Sequence, residues 1–456
     1  MEGIKRYYFI GIGGIGMSAL ARYVKAMGAE VAGYDRNPSE LITQLESEGI
    51  PVTFDDDRAT IEAAFKVVSE DLLVVRTPAV PLDNDILTYY QEAKANVMKR
   101  SELLARIAGS KTCIAVAGTH GKTTTTSILA HLLASSEIGC TAFVGGIMPS
   151  YKGNVIIDTD SPYVVLEADE FDRSFHHLDP FMAIITSTDA DHLDIYETKD
   201  SFGQAFKEFA ERVDPKGLLL HYEEVSSFEA DVNQVAYNID GGALRATSVR
   251  VASGQFHFDL EYGAYAIGNL TIPLPGRHNV LNALAACGIA LELGVSEINI
   301  RKALASYTGV KRRFELIFRS HSQVFIDDYA HHPTEIEACI SSVRELYPDS
   351  KLTVVFQPHL YSRTRDFMDG FAQSLSQADE VILLPIYPAR ELPIQGVDSE
   401  AILDLVSVTN KLVCEKGELP SLIAARELEV LLTLGAGDID RLIPALKKQL
   451  TDLADA

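Results

Sequence analysis

The sequence lacks the features of membrane, disulfide-stabilised and nucleic-acid-binding proteins. None of its 456 residues lies in an apolar run of eighteen, and the opening MEGIKRYYFIGIGG has no signal-peptide core, so we expect neither a membrane span nor secretion. The five cysteines are scattered without a C-x-x-C pair, which favours a reducing cytoplasm over disulfides or a zinc ribbon. Basic residues number 40 against 64 acidic ones, and the formal net charge of −24 disfavours non-specific nucleic-acid binding.

The chain is long enough for two to four domains and divides into three blocks of alternating strand-like and helix-like patterns. This alternation predicts α/β domains with parallel sheets, whose ligand loops follow the carboxyl ends of strands. We place the domains at residues 1–107, 108–315 and 316–456. The clearest predicted strands are residues 30–34, 113–117, 352–356 and 430–434, the clearest helices 123–133 and 279–293, and residues 218–275 alternate as β-structure.

The first motif with chemical meaning is GIGGIG at residues 11–16, a G-x-G-x-x-G between a predicted strand and helix. Its glycines permit a tight turn and close approach of a pyrophosphate, which the helix N-terminus attracts. They are Gly11, Gly13, Gly14 and Gly16. Asp35 ends the next predicted strand, where it can accept a hydrogen bond from a ribose or uridine group. Alone the motif is weak, because it also occurs as a structural turn and would favour a dehydrogenase.

The second motif is GTHGKTTTT at residues 118–126, again between a predicted strand and helix. In such a loop Lys122 can reach the β- and γ-phosphates and the Thr123 hydroxyl can bind Mg²⁺. The loop is shorter than the general consensus, which has glycine at the position of Val116. We assign to ATP, besides these two, Gly118, Thr119, His120, Gly121 and Thr124. Two phosphate loops predict one nucleotide-linked substrate and one nucleoside triphosphate.

Acidic clusters follow two further predicted strands, EADEFD at residues 167–172 and DADHLD at 189–194. Because carboxyl ends of parallel strands share one sheet edge, we expect both clusters beside the phosphate loop. Glu167 offers an anionic oxygen to Mg²⁺, and His192 can hold an ion. A solvated acidic rim is the alternative for each acid taken singly.

Polar motifs continue toward the end of the chain. In PGRHN, His278 lies four residues before Asn282 on one helix face, where the pair can read an adenine edge or merely cap the helix. The basic triplet at 311–313 is a solvated linker or a phosphate clamp. DDYAHHPTE at 327–335 predicts a functional site, and QPHLYSRTR at 357–365 offers arginines that can hold carboxylates. GAGD at 435–438 is a structural or a ligand-facing turn.

Taken in order, these motifs resemble those of the Mur ligases, and the match spans residues 11–438. DDYAHHPTE together with FQPH most resembles the branch that adds L-alanine. The resemblance implies a Rossmann-like N-terminal domain for a UDP-sugar, a central P-loop ATPase-type domain and a Rossmann-like C-terminal domain for the amino acid. It implies ATP-dependent joining of L-alanine to the lactyl carboxylate of UDP-N-acetylmuramate through an acyl phosphate, with Mg²⁺, in the cytoplasm.

The resemblance also implies roles for single residues. Lys122 would contact the transferring phosphate, and the Mg²⁺ ligands would be Thr123, Glu167 and His192. His278 and Asn282 would hold adenine with Arg313 near the nucleotide, and the amino-acid site would contain Tyr329, His331 and Arg363. Catalytic roles would fall to Lys122, Glu167, His192, His331 and Arg363. A monomer or weak homodimer that binds neither nucleic acid nor membranes is expected.

Two positions depart from or loosely match the family pattern. Leu360 stands where some relatives have arginine, so Arg363 or Arg365 would do more, and Lys207 lies near a lysine that several relatives carbamylate. Three alternatives remain: an NAD-dependent dehydrogenase, a nucleotide-binding protein with decayed sites, and a recycling ligase that adds a whole tripeptide. Tolerance for glycine or serine and the base that deprotonates alanine stay open.

Overall fold

A computed structural model describes residues 3–170, 175–189, 199–225, 227–252, 254–389 and 391–454. The described chain is an α/β protein with three β-sheets, which confirms the predicted class. Its contacts separate two compact units, which are described one at a time. The first unit is Met1–Thr247, Asp259–Leu270 and Leu281–Thr308, and the second unit is Ser248–Phe258, Thr271–Val280 and Gly309–Ala456. The domain boundaries placed at residues 107/108 and 315/316 stay predictions.

The first sheet has five parallel strands in the order β3-β2-β1-β4-β5. Its strands are β1 (Arg6–Ile10), β2 (Glu30–Tyr34), β3 (Val52–Thr53), β4 (Leu72–Arg76) and β5 (Asn96–Lys99). The accompanying helices are α1 (Ile15–Ala26), α2 (Glu40–Ser47), α3 (Ala63–Lys66), α4 (Asp85–Glu92) and α5 (Arg100–Ala108). Because β1 lies between β2 and β4, the strand order reverses there and opens a crevice at their carboxyl ends. The glycine loop (residues 11–16) follows β1 and lies at this point.

The second sheet has ten strands in the order β15-β14-β13-β12-β11-β10-β6-β9-β7-β8. Its strands are β6 (Thr112–Ala117), β7 (Thr141–Met148), β8 (Gly153–Ile156), β9 (Tyr163–Glu167), β10 (Met182–Ile185), β11 (Leu218–Tyr222), β12 (Asn233–Ile239), β13 (Leu244–Ala252), β14 (Gln255–Tyr262) and β15 (Tyr265–Ile272). Its helices are α6 (Lys122–Ala134), α7 (Lys199–Ala210), α8 (Arg277–Glu292) and α9 (Glu297–Ser306). Strand β6 pairs in parallel with β9 and β10, so the segments that follow these three strands meet at one edge.

The third sheet, in the second unit, has the order β16-β17-β21-β18-β19-β20, with β16 antiparallel and the other pairs parallel. Its strands are β16 (Glu315–Arg319), β17 (Val324–Asp328), β18 (Leu352–Phe356), β19 (Glu380–Leu383), β20 (Asn410–Val413) and β21 (Val430–Leu434). Its helices are α10 (Pro333–Leu346), α11 (Tyr361–Leu375), α12 (Ser399–Leu405), α13 (Leu419–Ala424) and α14 (Ile443–Ala454). The loops after β17, β18 and β21 share one edge.

The sequences of the parallel strands are continuous apolar runs and do not alternate between apolar and polar residues, because helices cover both faces of such sheets. All five residues of β18 and of β21 are buried, for example. The β-like stretch is also confirmed, since strands β11 to β15 lie between residues 218 and 272. Among the described residues, no helix combines the length and apolar composition needed to cross a bilayer.

Within the first unit, one apolar core continues from the first sheet into the second. Tyr23 of α1 meets Phe143 of β7 edge-on, with ring centroids 5.5 Å apart. Beside this contact, Arg22 is 9% exposed and donates to both carboxylate oxygens of Glu48 and to Asn154 Oδ1 of β8. The buried guanidinium therefore ties α1 to the edge of the second sheet.

We predict that Arg22→Met lowers the free energy of unfolding of the first unit by about 2 kcal/mol, because a buried charge-assisted hydrogen-bond set is lost. Urea titration followed by circular dichroism measures the change. The matched control is Arg245→Met, which removes a cross-strand pair with Glu261 whose side chains are 49% and 43% exposed, and should cost less than about 1 kcal/mol. Equal losses in the two variants would contradict a special role for Arg22.

Candidate active site

The glycine loop is held in a conformation that only glycine adopts easily at its first position. Gly11 has φ of +86°, and a Cβ there would lie 2.4 Å from Thr77 Cγ2. The amide of Gly13 donates to Asp35 Oδ2 at 2.8 Å, and the amide of Asn37 donates to Asp35 Oδ1 at 3.2 Å. Asp35 thus braces the loop from the end of β2. The loop leads directly into the first turn of α1, whose free backbone amides can bind an anion.

Arg100 contacts this loop, and the sequence analysis missed it. It is the first residue of α5, and a Cβ on Gly16 would lie 2.7 Å from its Nη1. Its Nη2 lies 3.8 Å from Asp169 Oδ2. The sequence contains a signal for this residue. Lys99 and Arg100 lie at the N-terminus of α5, where the helix dipole disfavours cations, so a basic pair there is unusual.

The phosphate loop (residues 118–123) is packed closely enough to require its two glycines. A Cβ on Gly118, which has φ of +133°, would lie 2.1 Å from Thr186 Oγ1. Gly121 has φ of +81°, and a Cβ there would lie 2.6 Å from Asn282 Oδ1. Asn282 is 7% exposed and accepts a hydrogen bond from Thr125 Oγ1 at 3.1 Å. In this structure Asn282 therefore braces the phosphate loop.

Lys122 lies at the start of α6 and is engaged by its own loop and by a buried acid. Its Nζ donates to the Gly118 carbonyl at 2.5 Å and to Glu170 Oε1 at 2.9 Å, and Glu170 is 1% exposed. Burial alone would lower the pKa of Lys122. The carboxylates of Glu170 and Asp169 outweigh that effect, so the pKa is raised and the ammonium stays charged. Glu170, to which no separate role is predicted from the sequence, is the ion-pair partner of this lysine.

Thr123 and Glu167, two of the three predicted Mg²⁺ ligands, are adjacent. The Thr123 hydroxyl donates to Glu167 Oε2 at 3.0 Å, and the amide of Gly145 donates to Glu167 Oε1 at 2.5 Å. Hydroxyl and carboxylate oxygens beside a phosphate loop fit Mg²⁺, which takes its other ligands from water and phosphate. The third predicted ligand, His192, lies outside the described residues, as do Asp172, Asp191 and Asp194.

The segment after β10 supports the phosphate loop from its other side. His120 Nε2 lies 3.3 Å from Asp189 Oδ2, and the His120 amide donates to Ser187 Oγ at 2.9 Å. The Thr119 hydroxyl donates to the Asp189 carbonyl at 2.6 Å. Thr119 and His120 therefore stabilise the loop in this structure. Lys207 is exposed on α7, and its carbamylation stays an untested expectation.

In the second unit, the basic triplet and the DDY sequence lie together. The guanidinium carbons of Arg312 and Arg313 lie 5.3 and 5.1 Å from the ring centroid of Tyr329. Arg312 also pairs with the buried Asp327 at 3.1 Å. Asp328 accepts from the Phe314 amide at 2.6 Å, and burial raises its pKa to about 6 although Arg313 opposes the shift. Arg312 and Arg313 are therefore packed within this unit, whereas Lys311 is exposed.

Two histidines follow β17 and β18 and are neutral near pH 7. His331 Nδ1 lies 3.0 Å from the Tyr329 carbonyl and 3.3 Å from Glu335 Oε2, which leaves Nε2 as an acceptor if Nδ1 carries the proton. Burial lowers the pKa of His331 to about 4, and burial lowers that of His359 to about 4 as well. Their ring centroids are 6.2 Å apart. His278, beside Gly276 in the same unit, has a pKa of about 4 for the same reason.

The first turn of α11 separates the two candidate arginines. Leu360 is the N-cap residue of α11 and has a φ of +70°. Arg363, in the first turn of the helix, is 9% exposed. Arg365 pairs with Asp366 at 2.8 Å and its side chain is 56% exposed. Arg363 is therefore the buried guanidinium of this segment, and Arg365 belongs to the surface.

The GAGD turn after β21 braces the neighbouring strand end. Gln357 is fully buried, donates to Asp438 Oδ1 at 2.8 Å and accepts from the Ile439 amide at 2.9 Å. A Cβ on Gly437 would lie 2.5 Å from Gln357 Oε1. Arg312 donates to the Gly435 carbonyl at 2.5 Å. These contacts are structural.

Family models match the chain along most of its length. The model described as Mur ligase family, catalytic domain, matches residues 6–112, that of the Mur ligase middle domain matches 116–290, and that of the Mur ligase, glutamate ligase domain, matches 312–439. Together they support the three-domain fold expected from the sequence.

Several relatives that match nearly the whole chain share one name. Relatives called UDP-N-acetylmuramate–L-alanine ligase are 48% identical in Christiangramia forsetii, over 98% of both chains, and 47% identical in Porphyromonas gingivalis, over 99% of this chain and 100% of the relative. Among solved structures, the UDP-N-acetylmuramate-alanine ligase of Thermotoga maritima superimposes with a TM-score of 0.83 at 29% identity, covering 98% and 99% of the two chains. A murein peptide ligase of Psychrobacter arcticus gives 0.70 at 25% identity, covering 99% of each. The chain belongs to the Mur ligase family.

Proposed function

We propose that this protein is an ATP-dependent ligase that joins L-alanine to the lactyl carboxylate of UDP-N-acetylmuramate, releasing ADP and phosphate, in peptidoglycan precursor synthesis. The observation that carries the proposal is that the first unit has two glycine-rich loops, each between a strand and a helix, and that a cation beside each loop lies near a carboxylate of the acidic segment (residues 167–170). One loop suits the diphosphate of a sugar nucleotide and the other suits a triphosphate. The names of the full-length relatives supply the substrates.

A carboxylate is a poor acylating agent, because its leaving group would be an oxide. Transfer of the γ-phosphoryl group of ATP to the lactyl carboxylate makes phosphate the leaving group, and the amine of L-alanine then attacks the acyl carbon. Lys122 is placed to stabilise charge on the transferred group once ATP displaces its present contacts with Gly118 and Glu170. Thr123, Glu167 and His192 would hold Mg²⁺, which when bound would neutralise further negative charge on the phosphates.

The second unit supplies the proposed amino-acid site. The buried guanidinium of Arg363 suits the carboxylate of L-alanine, and the neutral His331 with Tyr329 lies in the same unit to orient the amine. Arg313, His278 and Asn282 are proposed to contact the nucleotide, as the family resemblance implies. Because the reaction consumes ATP, we place it in the cytoplasm, and a monomer or weak homodimer stays a prediction.

Of the alternatives, the dehydrogenase is wrong, because the chain is a Mur ligase and carries a phosphate loop that a dehydrogenase does not need. The decayed-site alternative requires loss of the loop residues, and Lys122, Thr123 and Glu167 are present and in contact with one another or with their loop. The tripeptide-adding ligase differs in the amine that it uses, so the choice of amine decides this alternative.

The first prediction concerns the amine. Phosphate release from Mg–ATP should require UDP-N-acetylmuramate together with L-alanine, with glycine and L-serine tested for tolerance and an L-Ala-γ-D-Glu-meso-diaminopimelate tripeptide as the rival substrate. A coupled phosphate assay measures the rates. Release that depends on the tripeptide and ignores L-alanine would overturn the assignment.

The second prediction concerns Lys122. Lys122→Met should reduce phosphate release by at least about a hundredfold, because a charged donor to the transferred group is lost. The substitution leaves the buried Glu170 without its ion-pair partner Lys122, which should lower thermal stability. The double variant Lys122→Met/Glu170→Gln should therefore regain thermal stability without regaining activity. Lys302→Met, an exposed lysine on α9, is the control and should keep wild-type turnover. Near-normal turnover in the folded Lys122→Met variant would contradict the role.

The third prediction separates the two arginines of α11. Arg363→Lys should raise KM for L-alanine about tenfold or more and leave KM for ATP within twofold, because lysine cannot make the paired hydrogen bonds of a guanidinium to a carboxylate. Arg365→Lys, on the exposed face of the same helix, should leave both constants unchanged. Steady-state kinetics at saturating UDP-N-acetylmuramate measures both. If the two variants behave alike, the carboxylate does not bind at Arg363.

A further inference from the structure

Arg100 is placed where a cation is electrostatically unfavourable unless an anion accompanies it. It opens α5, and its guanidinium packs on Gly16 in the first turn of α1, with Nη1 2.7 Å and Cδ 3.2 Å from a Cβ built on that glycine. Both contacts put a positive charge at the positive end of a helix dipole. The absence of a side chain at residue 16 is what allows the guanidinium to lie there.

The anion that accompanies Arg100 in this structure is Asp169, and the pair is loose. Nη2 of Arg100 lies 3.8 Å from Oδ2 of Asp169, which exceeds hydrogen-bond length, and the side chains are 30% and 42% exposed. Among the described residues, no other acid pairs with Arg100 and no acceptor receives a hydrogen bond from it. A guanidinium has five N–H donors in a fork suited to phosphate oxygens. Most of the N–H donors of Arg100 are therefore not used by the described part of the chain.

We propose that Arg100 is shared between two anions: Asp169 while the glycine loop is empty, and the diphosphate of the sugar nucleotide once it binds. The inference rests on the proposed function and adds a residue to it. A diphosphate held by the amides of the first turn of α1 lies within reach of Arg100, because the guanidinium already touches Gly16 in that turn. Asp169 then serves as a weak competitor that keeps the guanidinium at the loop without holding it tightly.

Titration calorimetry with UDP tests the contact directly. Arg100→Gln should weaken UDP binding about tenfold or more, the scale of a charge-assisted hydrogen bond, and Arg100→Lys should restore part of the loss. Arg106→Gln, an exposed arginine farther along α5, is the matched control and should bind UDP within twofold of wild type. The affinity for Mg–AMP-PNP should stay within twofold in all variants, which shows that the first unit is folded.

A double-mutant cycle tests whether Asp169 competes for Arg100. Asp169→Asn should tighten UDP binding by up to about fivefold, the scale of a partly exposed ion pair, and should have no effect in the Arg100→Gln background. General loss of negative charge would instead tighten binding equally in both backgrounds.

The outcomes separate this inference from the proposed function. UDP affinity within twofold of wild type in Arg100→Gln, or an undiminished Asp169→Asn effect in that background, overturns the shared role and leaves the ligase proposal intact. A wild-type protein that binds Mg–AMP-PNP but not UDP overturns the sugar-nucleotide assignment of the glycine loop, and the inference with it.

Discussion

A chain with a formal net charge of −24 is proposed to hold two polyphosphates side by side, and this electrostatic constraint governs its first unit. Backbone amides at helix N-termini meet part of the demand without adding charge. One cation beside each loop is associated with a carboxylate of the four-residue segment 167–170: Arg100 with Asp169, and Lys122 with Glu170. Neither cation is therefore without a nearby carboxylate, and under the proposed function each arriving phosphate group would replace a carboxylate.

The position of that segment follows from the sheet. Strand β9 pairs in parallel with β6, so the acids after β9 and the phosphate loop after β6 leave the same edge. Within the segment, Glu167 faces Thr123 and Glu170 faces Lys122. One short stretch of chain therefore contacts three different partners, Thr123, Lys122 and Arg100, and under the proposed function these contacts lie at the metal, the transferring phosphate and the sugar nucleotide.

The second unit is proposed to bind the amino acid, which carries both charges and whose amine must lose a proton. Burial lowers the pKa values of His278, His331 and His359 and so keeps these side chains neutral. Arg312 is held by the ring of Tyr329, the buried Asp327 and the carbonyl of Gly435. Neutral imidazole can accept from an ammonium group without repelling it, whereas Arg363 retains the charge that a carboxylate requires. Hydrogen bonds between Gln357 and the GAGD turn join the segments that follow β18 and β21.

The sequence by itself determined the α/β class, the strand-loop-helix setting of both phosphate loops and the family, because glycine spacing and apolar runs are local properties of the chain. It also placed Lys122, Thr123 and Glu167 together, since strand order at one sheet edge is implied by parallel pairing. Only the tertiary structure decided that Asn282 braces the phosphate loop, that Arg365 is on the surface, that Glu170 pairs with Lys122 and that Arg100 lies near Asp169. These depend on contacts between residues 48 to 157 positions apart, and on which face of a helix packs inward, neither of which is written in any short stretch of sequence.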